Sequence, residues 1–112
     1  MKNISSFNEL QKLWETIELR AQNKNAKESY VAFLLEQGVK ECAKKLGEEA
    51  VEVSIAAVKI DKKETIKESA DLIFHLFVLW KSLGLFPQEV LKELENRSKI
   101  SGLDEKKQRE NK

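Results

Sequence analysis

Apolar residues recur along most of this chain at the three- and four-residue spacing of helices, and nowhere with the alternation of a strand. Leu10, Leu13, Trp14 and Ile17 form the first stripe. Ser6 followed by Glu9 has capping-box spacing, so a helix is expected over about residues 7–22. Residues 23–28 are polar and aperiodic, and read as a loop. Ser29 can then cap a short helix carrying Tyr30, Phe33 and Leu34, which Gly38 ends. A third helix, about 39–59, has Val39, Leu46, Ala50, Val53 and Ala57 on one stripe, flanked by Cys42 and Ala43. Val51, Ile55 and Val58 make a second stripe on roughly the opposite side.

Asp61 and Glu64 repeat the capping spacing and open a fourth helix, about 62–83, closed by Gly84. From Leu72 to Trp80 it is apolar almost all round, which predicts a central position. Pro87 suits the first turn of a fifth helix, about 87–97, with Val90, Leu91 and Leu94 inward. The polar, Lys-rich stretch from Ser98 predicts a flexible tail. The expected fold is all-α: an antiparallel bundle of about five helices over residues 1–97, with the tail over 98–112. Two doubly apolar helices leave more hydrophobic surface than one short chain covers, so a homodimer is expected.

Composition narrows the function. Of 112 residues, 20 are basic and 19 acidic, for a net charge of +1. Such a balance supplies no global field for a nucleic-acid polymer or an anionic membrane. Cys42 is the only cysteine, so no intrachain disulfide forms, and its place on an apolar stripe predicts a buried, inert thiol. Met1–Ser6 lacks the apolar run of a signal peptide, and Leu72–Trp80 is too short to span a bilayer. A cytoplasmic protein is expected.

The chemistry lies where carboxylates interrupt the apolar helices. Glu48, Glu49 and Glu52 fall on the third helix, Glu68 and Asp71 on the fourth. Glu49 and Glu52 are three apart, as are Glu68 and Asp71, so each pair shares a helical face. The short connection at Lys59–Lys62 makes the two helices antiparallel neighbours, and the pairs can then face each other. Converging carboxylates repel unless a cation sits between them, and hard oxygen ligands suit Mg²⁺ or Mn²⁺. Magnesium so held normally also binds phosphate oxygens. The plainer reading, solvated acids on a helix surface, stands beside this one.

The run Glu48-Glu49-Ala50-Val51-Glu52, followed by Glu68-Ser69-Ala70-Asp71, resembles the metal signature of the all-α nucleoside triphosphate pyrophosphohydrolases, the MazG-like proteins among them. Lys44-Lys45-Leu46-Gly47-Glu48-Glu49-Ala50 and Ala70-Asp71-Leu72-Ile73-Phe74-His75-Leu76 resemble phosphoribosyl-ATP pyrophosphohydrolases in particular. So do Ile17-x-x-Arg20, Ser29-Tyr30 before Leu34-Leu35-x-x-Gly38, and Leu94-x-x-Arg97. The likeness covers about residues 7–107. Val31 and Glu28 depart from it, where Thr and Gly are common.

This resemblance implies a MazG-like helical dimer. It also implies Mg²⁺-dependent hydrolysis of phosphoribosyl-ATP to phosphoribosyl-AMP and pyrophosphate, a step of histidine biosynthesis. It makes Glu49, Glu52, Glu68 and Asp71 the metal ligands and Glu48, Glu49 and Glu52 the catalytic acids. Arg20, Ser29 and Lys45 are candidates for holding the substrate, Arg20 by a bidentate contact and Lys45 as a point charge. Each also has a structural reading: a solvated base for Arg20 and Lys45, a helix cap for Ser29. Tyr30 reads as core before base-stacking, and His75 as a core or supporting histidine before a catalytic base. A close helix or ligand approach would account for Gly47 inside a helix. Two alternatives stay open: a MazG-like hydrolase of other (d)NTPs, and a non-catalytic helical interaction module.

Overall fold

The computed structural model describes residues 7–23, 25–99 and 109–110. Among them five helices form and no strand: α1 (Asn8–Ala21), α2 (Tyr30–Gln37), α3 (Val39–Val58), α4 (Lys62–Leu83) and α5 (Pro87–Ser98). The expected boundaries hold to within a residue or two, because the punctuation is chemical. Ser29 Oγ accepts from the Ala32 amide at 3.1 Å, and an Asp61 carboxylate oxygen accepts from the Glu64 amide at 3.0 Å. Gly38, at φ 92° and ψ 174°, takes a conformation essentially confined to glycine and turns α2 into α3. Ser6, the proposed cap of α1, lies outside the described residues; the residue before α1 is Phe7, which makes no side-chain cap. Most of the expected tail also lies outside them.

α3 and α4 form the antiparallel hairpin on which the rest is built. The core joins Trp14 and Ile17 of α1, Val31 and Leu34 of α2, Cys42 of α3, and Phe77 and Val78 of α4. Trp14 meets Phe77 edge to face at 5.9 Å between ring centroids. Val31 is 2% exposed, so this departure from the family pattern is an apolar side chain filling the core. The Cys42 Sγ–H donates to the Leu34 carbonyl at 3.2 Å, and burial pushes its thiol pKa up, as an inert cysteine requires. α4 touches α1, α2 and α3, the central position its composition predicts.

Two expectations need correction, and a third holds only in part. Tyr30 is not core: as the first residue after a buried cap it is thrown outward and is 50% exposed. Val90, Leu91 and Leu94 face Trp14, Phe77 and Trp80 as expected, but across an open cavity, so α5 has no buried residue. The left-handed Gly84 and the following Leu85-Phe86 turn the chain through 109° between α4 and α5, so that α5 stands across the cavity from α1 and α4 without closing on them. Nor does a close helix explain Gly47, since a Cβ placed there meets nothing within 4 Å. The second stripe of α3, Val51, Ile55 and Val58, is exposed on the single subunit. Among the described residues no single helix is long and apolar enough to cross a membrane.

Candidate functional site

The α3–α4 hairpin brings three carboxylates together. One oxygen each from Glu49, Glu68 and Asp71 lies within 4.8 Å of the others. Glu68 and Asp71 project from one face of α4 because they are one turn apart, and Glu49 reaches them from the neighbouring helix. Glu49 is half-buried, and its Oε2 is fully enclosed without a hydrogen-bond partner. An enclosed carboxylate oxygen left unsatisfied is costly, and a cation is the partner that would complete it.

Electrostatics says the same. The Glu68 carboxyl is pushed up to about 7, by desolvation first, then by hydrogen bonds with Glu49 and Glu64, then by the charges of Glu49 and Asp71. Without a cation the cluster keeps a proton to relieve its own repulsion. Three hard oxygen donors, one with an open valence, fit magnesium, which retains waters and needs few protein ligands. Magnesium is therefore compatible with the residues present.

Around this gap the other predicted residues fall unevenly. Lys45 is half-buried one turn before Glu49 and pairs with Glu48 at 3.6 Å. Glu52 is exposed and stands outside the converging group. Arg20 is exposed in the last turn of α1, and Ser29 is 5% exposed with its Oγ engaged as the cap of α2. The capping reading of Ser29 is thus realised, while its O–H remains able to donate.

His75 is 6% exposed one turn past Asp71. Burial lowers its pKa most, with Lys45 acting the same way, while Glu49, Asp71 and Glu48 oppose them; a neutral ring beside the acids results. The capping spacing marks Glu64 as a helix-start acid, and it also helps to raise the Glu68 pKa. Its position one turn before Glu68 was the available signal.

An all-helical subunit whose central hairpin gathers carboxylates into a gap of this kind has the architecture of helical nucleotide pyrophosphohydrolases. The comparison with known families narrows the class. Residues 10–98 match the phosphoribosyl-ATP pyrophosphohydrolase model, and the chain belongs to that family.

Relatives agree over most of the length. A phosphoribosyl-ATP pyrophosphatase of Erythrobacter litoralis is 47% identical over 103 residues, covering 92% of this chain and 98% of its own. Phosphoribosyl-ATP pyrophosphatase 1 of Rhodopseudomonas palustris is 46% identical over 89% of this chain and 92% of its own. The Granulibacter bethesdensis phosphoribosyl-ATP pyrophosphatase is 45% identical over 89% of this chain, which spans 62% of that longer relative.

Proposed function

We propose that this protein hydrolyses phosphoribosyl-ATP at its α–β phosphoanhydride, yielding phosphoribosyl-AMP and pyrophosphate in histidine biosynthesis, as a cytoplasmic, Mg²⁺-dependent homodimer. The observation that carries the reading is the Glu49–Glu68–Asp71 gap, lying within the matched span of a family whose relatives bear that activity in their names. Glu49, Glu68 and Asp71 hold the metal, with Glu52, one turn along α3, as the fourth carboxylate. Magnesium bound there supplies charge neutralisation for the phosphate oxygens and a more acidic bound water.

The remaining steps belong to the chain's own groups. Lys45 binds a phosphate as a point charge, and its pairing with Glu48 keeps both beside the gap. Glu48, Glu49 and Glu52 are the acids we assign to catalysis, as acceptors of a proton from water. Arg20 and the Ser29 hydroxyl flank the 23–28 loop and contact the outer phosphates or the ribose phosphate. His75, neutral and enclosed, holds the wall of the gap.

Dimerisation follows from uncovered apolar surface. Val51, Ile55 and Val58 on α3, Ile60 and Ile66 near the hairpin tip, and Leu91 and Leu94 on α5 are all exposed. A two-fold copy covering the α3 face removes that cost from both subunits.

Incubation with phosphoribosyl-ATP, with Mg²⁺ or with EDTA, tests the reading by product chromatography. Phosphoribosyl-AMP and pyrophosphate formed only with the metal are expected. Faster turnover of dNTPs in direct competition would transfer the site to the broader MazG-like class, and absence of pyrophosphate from every nucleotide would leave no enzyme at all.

A further inference from the structure

Three aromatic rings lie next to the carboxylate gap and take no part in the hydrolytic machinery. Tyr30 opens α2, where the buried cap Ser29 turns its side chain outward. Its ring is nearly parallel to Phe33, one turn along (6.4 Å between centroids, 14°), and to Phe74 of α4 (6.0 Å, 12°). Parallel rings at these separations are displaced sideways, so each leaves part of its face uncovered. Tyr30 is 50% and Phe33 42% exposed. Together they make a flat, partly open aromatic tile bridging two helices.

The tile adjoins the site. The His75 ring meets Tyr30 edge-on at 6.1 Å and 89°, and Phe74 at 5.1 Å and 82°. His75 also lies within the electrostatic reach of Glu49 and Asp71. One imidazole thus neighbours both the tile and the carboxylates, and in a nucleotide one ribose joins the base to its phosphates. Planar aromatic faces take planar bases with little regard to their hydrogen-bonding edge.

We propose that Tyr30, with Phe33 and Phe74, is the stacking platform for the purine base of the substrate, setting affinity while the carboxylate gap does the chemistry. The assignment rests on the phosphoribosyl-ATP reading and adds to it the place of the base.

Steady-state kinetics of Tyr30→Leu, Tyr30→Phe and Phe33→Ala, with AMP and pyrophosphate as separate inhibitors, test it. Tyr30→Leu should raise KM and weaken AMP inhibition about tenfold, the order of one lost stacking contact. It should leave kcat and inhibition by pyrophosphate near wild type, while Tyr30→Phe behaves as wild type. Phe33→Ala, at an exposed position, should shift KM and AMP in the same direction and serves if Tyr30→Leu does not fold. Unchanged KM and AMP inhibition in the folded variants overturns the proposal. So does a fall in kcat at constant KM, which would make Tyr30 a support for His75. A changed sedimentation coefficient would make the tile a subunit contact and also overturn it. Calorimetric AMP binding reads the platform without turnover, so a wild-type enzyme that binds AMP through Tyr30 yet releases no pyrophosphate would fail the proposed activity alone.

Discussion

Carboxylate oxygens of Glu68 and Glu49 come within 4.8 Å of each other across the gap between α4 and α3, and two acids so close relieve their repulsion when one keeps its proton. The Glu68 value, raised from 4.5 to about 7, means the folded chain binds a proton that the unfolded chain has released between those limits. This contribution to stability is fully present below about 4.5 and is lost as pH climbs through about 7. Glu68→Gln, which copies the protonated acid, should therefore gain on wild type in EDTA melts as pH rises from 5 to 8. His75, held neutral, contributes in the opposite sense, losing stability as pH falls through its ordinary 6.5, and cancels in the comparison. Parallel melting curves for the two proteins would remove the shared proton.

Metal binding should expel that proton. Calorimetry of Mg²⁺ binding at pH 6 in buffers of differing ionisation heat should show proton release that is absent in Glu68→Gln, with affinity rising up to about pH 7.

Glu49→Gln should abolish most activity, a loss of ~100-fold or more if several kcal/mol of charge stabilisation goes with the metal. Its metal-free melting temperature should hold or rise, because an enclosed, unpartnered anionic oxygen disappears. An unfolded variant would make Glu49 a structural residue.

Gly47→Ala should stabilise the fold by about 1 kcal/mol, since the position is helical and open. Denaturant titration reads the gain. KM measured on the same variant tells whether substrate passes against this backbone, where the added methyl would stand in its way.

Ile60 and Gly84 close their helices alike. In each, the next residue's amide reaches back five residues (Asp61 to the Ala56 carbonyl, Leu85 to the Trp80 carbonyl), with φ of 57° and 74° at the turning residue. Gly84→Ala should cost about 1–2 kcal/mol from backbone conformation alone, as a Cβ meets nothing there. Ile60→Gly relieves about the same strain and offsets it by about 0.4–1 kcal/mol of chain entropy, for a small net gain. A loss that deepens at low protein concentration would place Ile60, 77% exposed on one subunit, inside the dimer contact.

Helix number and limits were legible because Ser29, Gly38, Asp61, Gly84 and Pro87 act through local chemistry that no distant packing overrides. The carboxylate gap was legible because one short loop leaves α3 and α4 no choice but to pair. Direction was harder to read. Leu91 and Leu94 carry a core-facing pattern and do face Trp14 and Phe77, but the bend after Gly84 sets how far they stand off, and no periodicity encodes the bend. Tyr30 has a core composition and an outward start-of-helix position. Glu52 shares a helical face with Glu49, yet one turn is a displacement of about 5 Å, enough to leave the converging group.

The three converging acids lie between residues 49 and 71, in a single helical hairpin. Contacts that close over so short a stretch form early, before pairings of greater sequence separation. The pocket for the ion is thus closed by contacts local in sequence, and α1, α2 and α5 contribute none of its three acids. Damage to α1 or α5 should accordingly weaken the grip on substrate sooner than it erases the acid cluster.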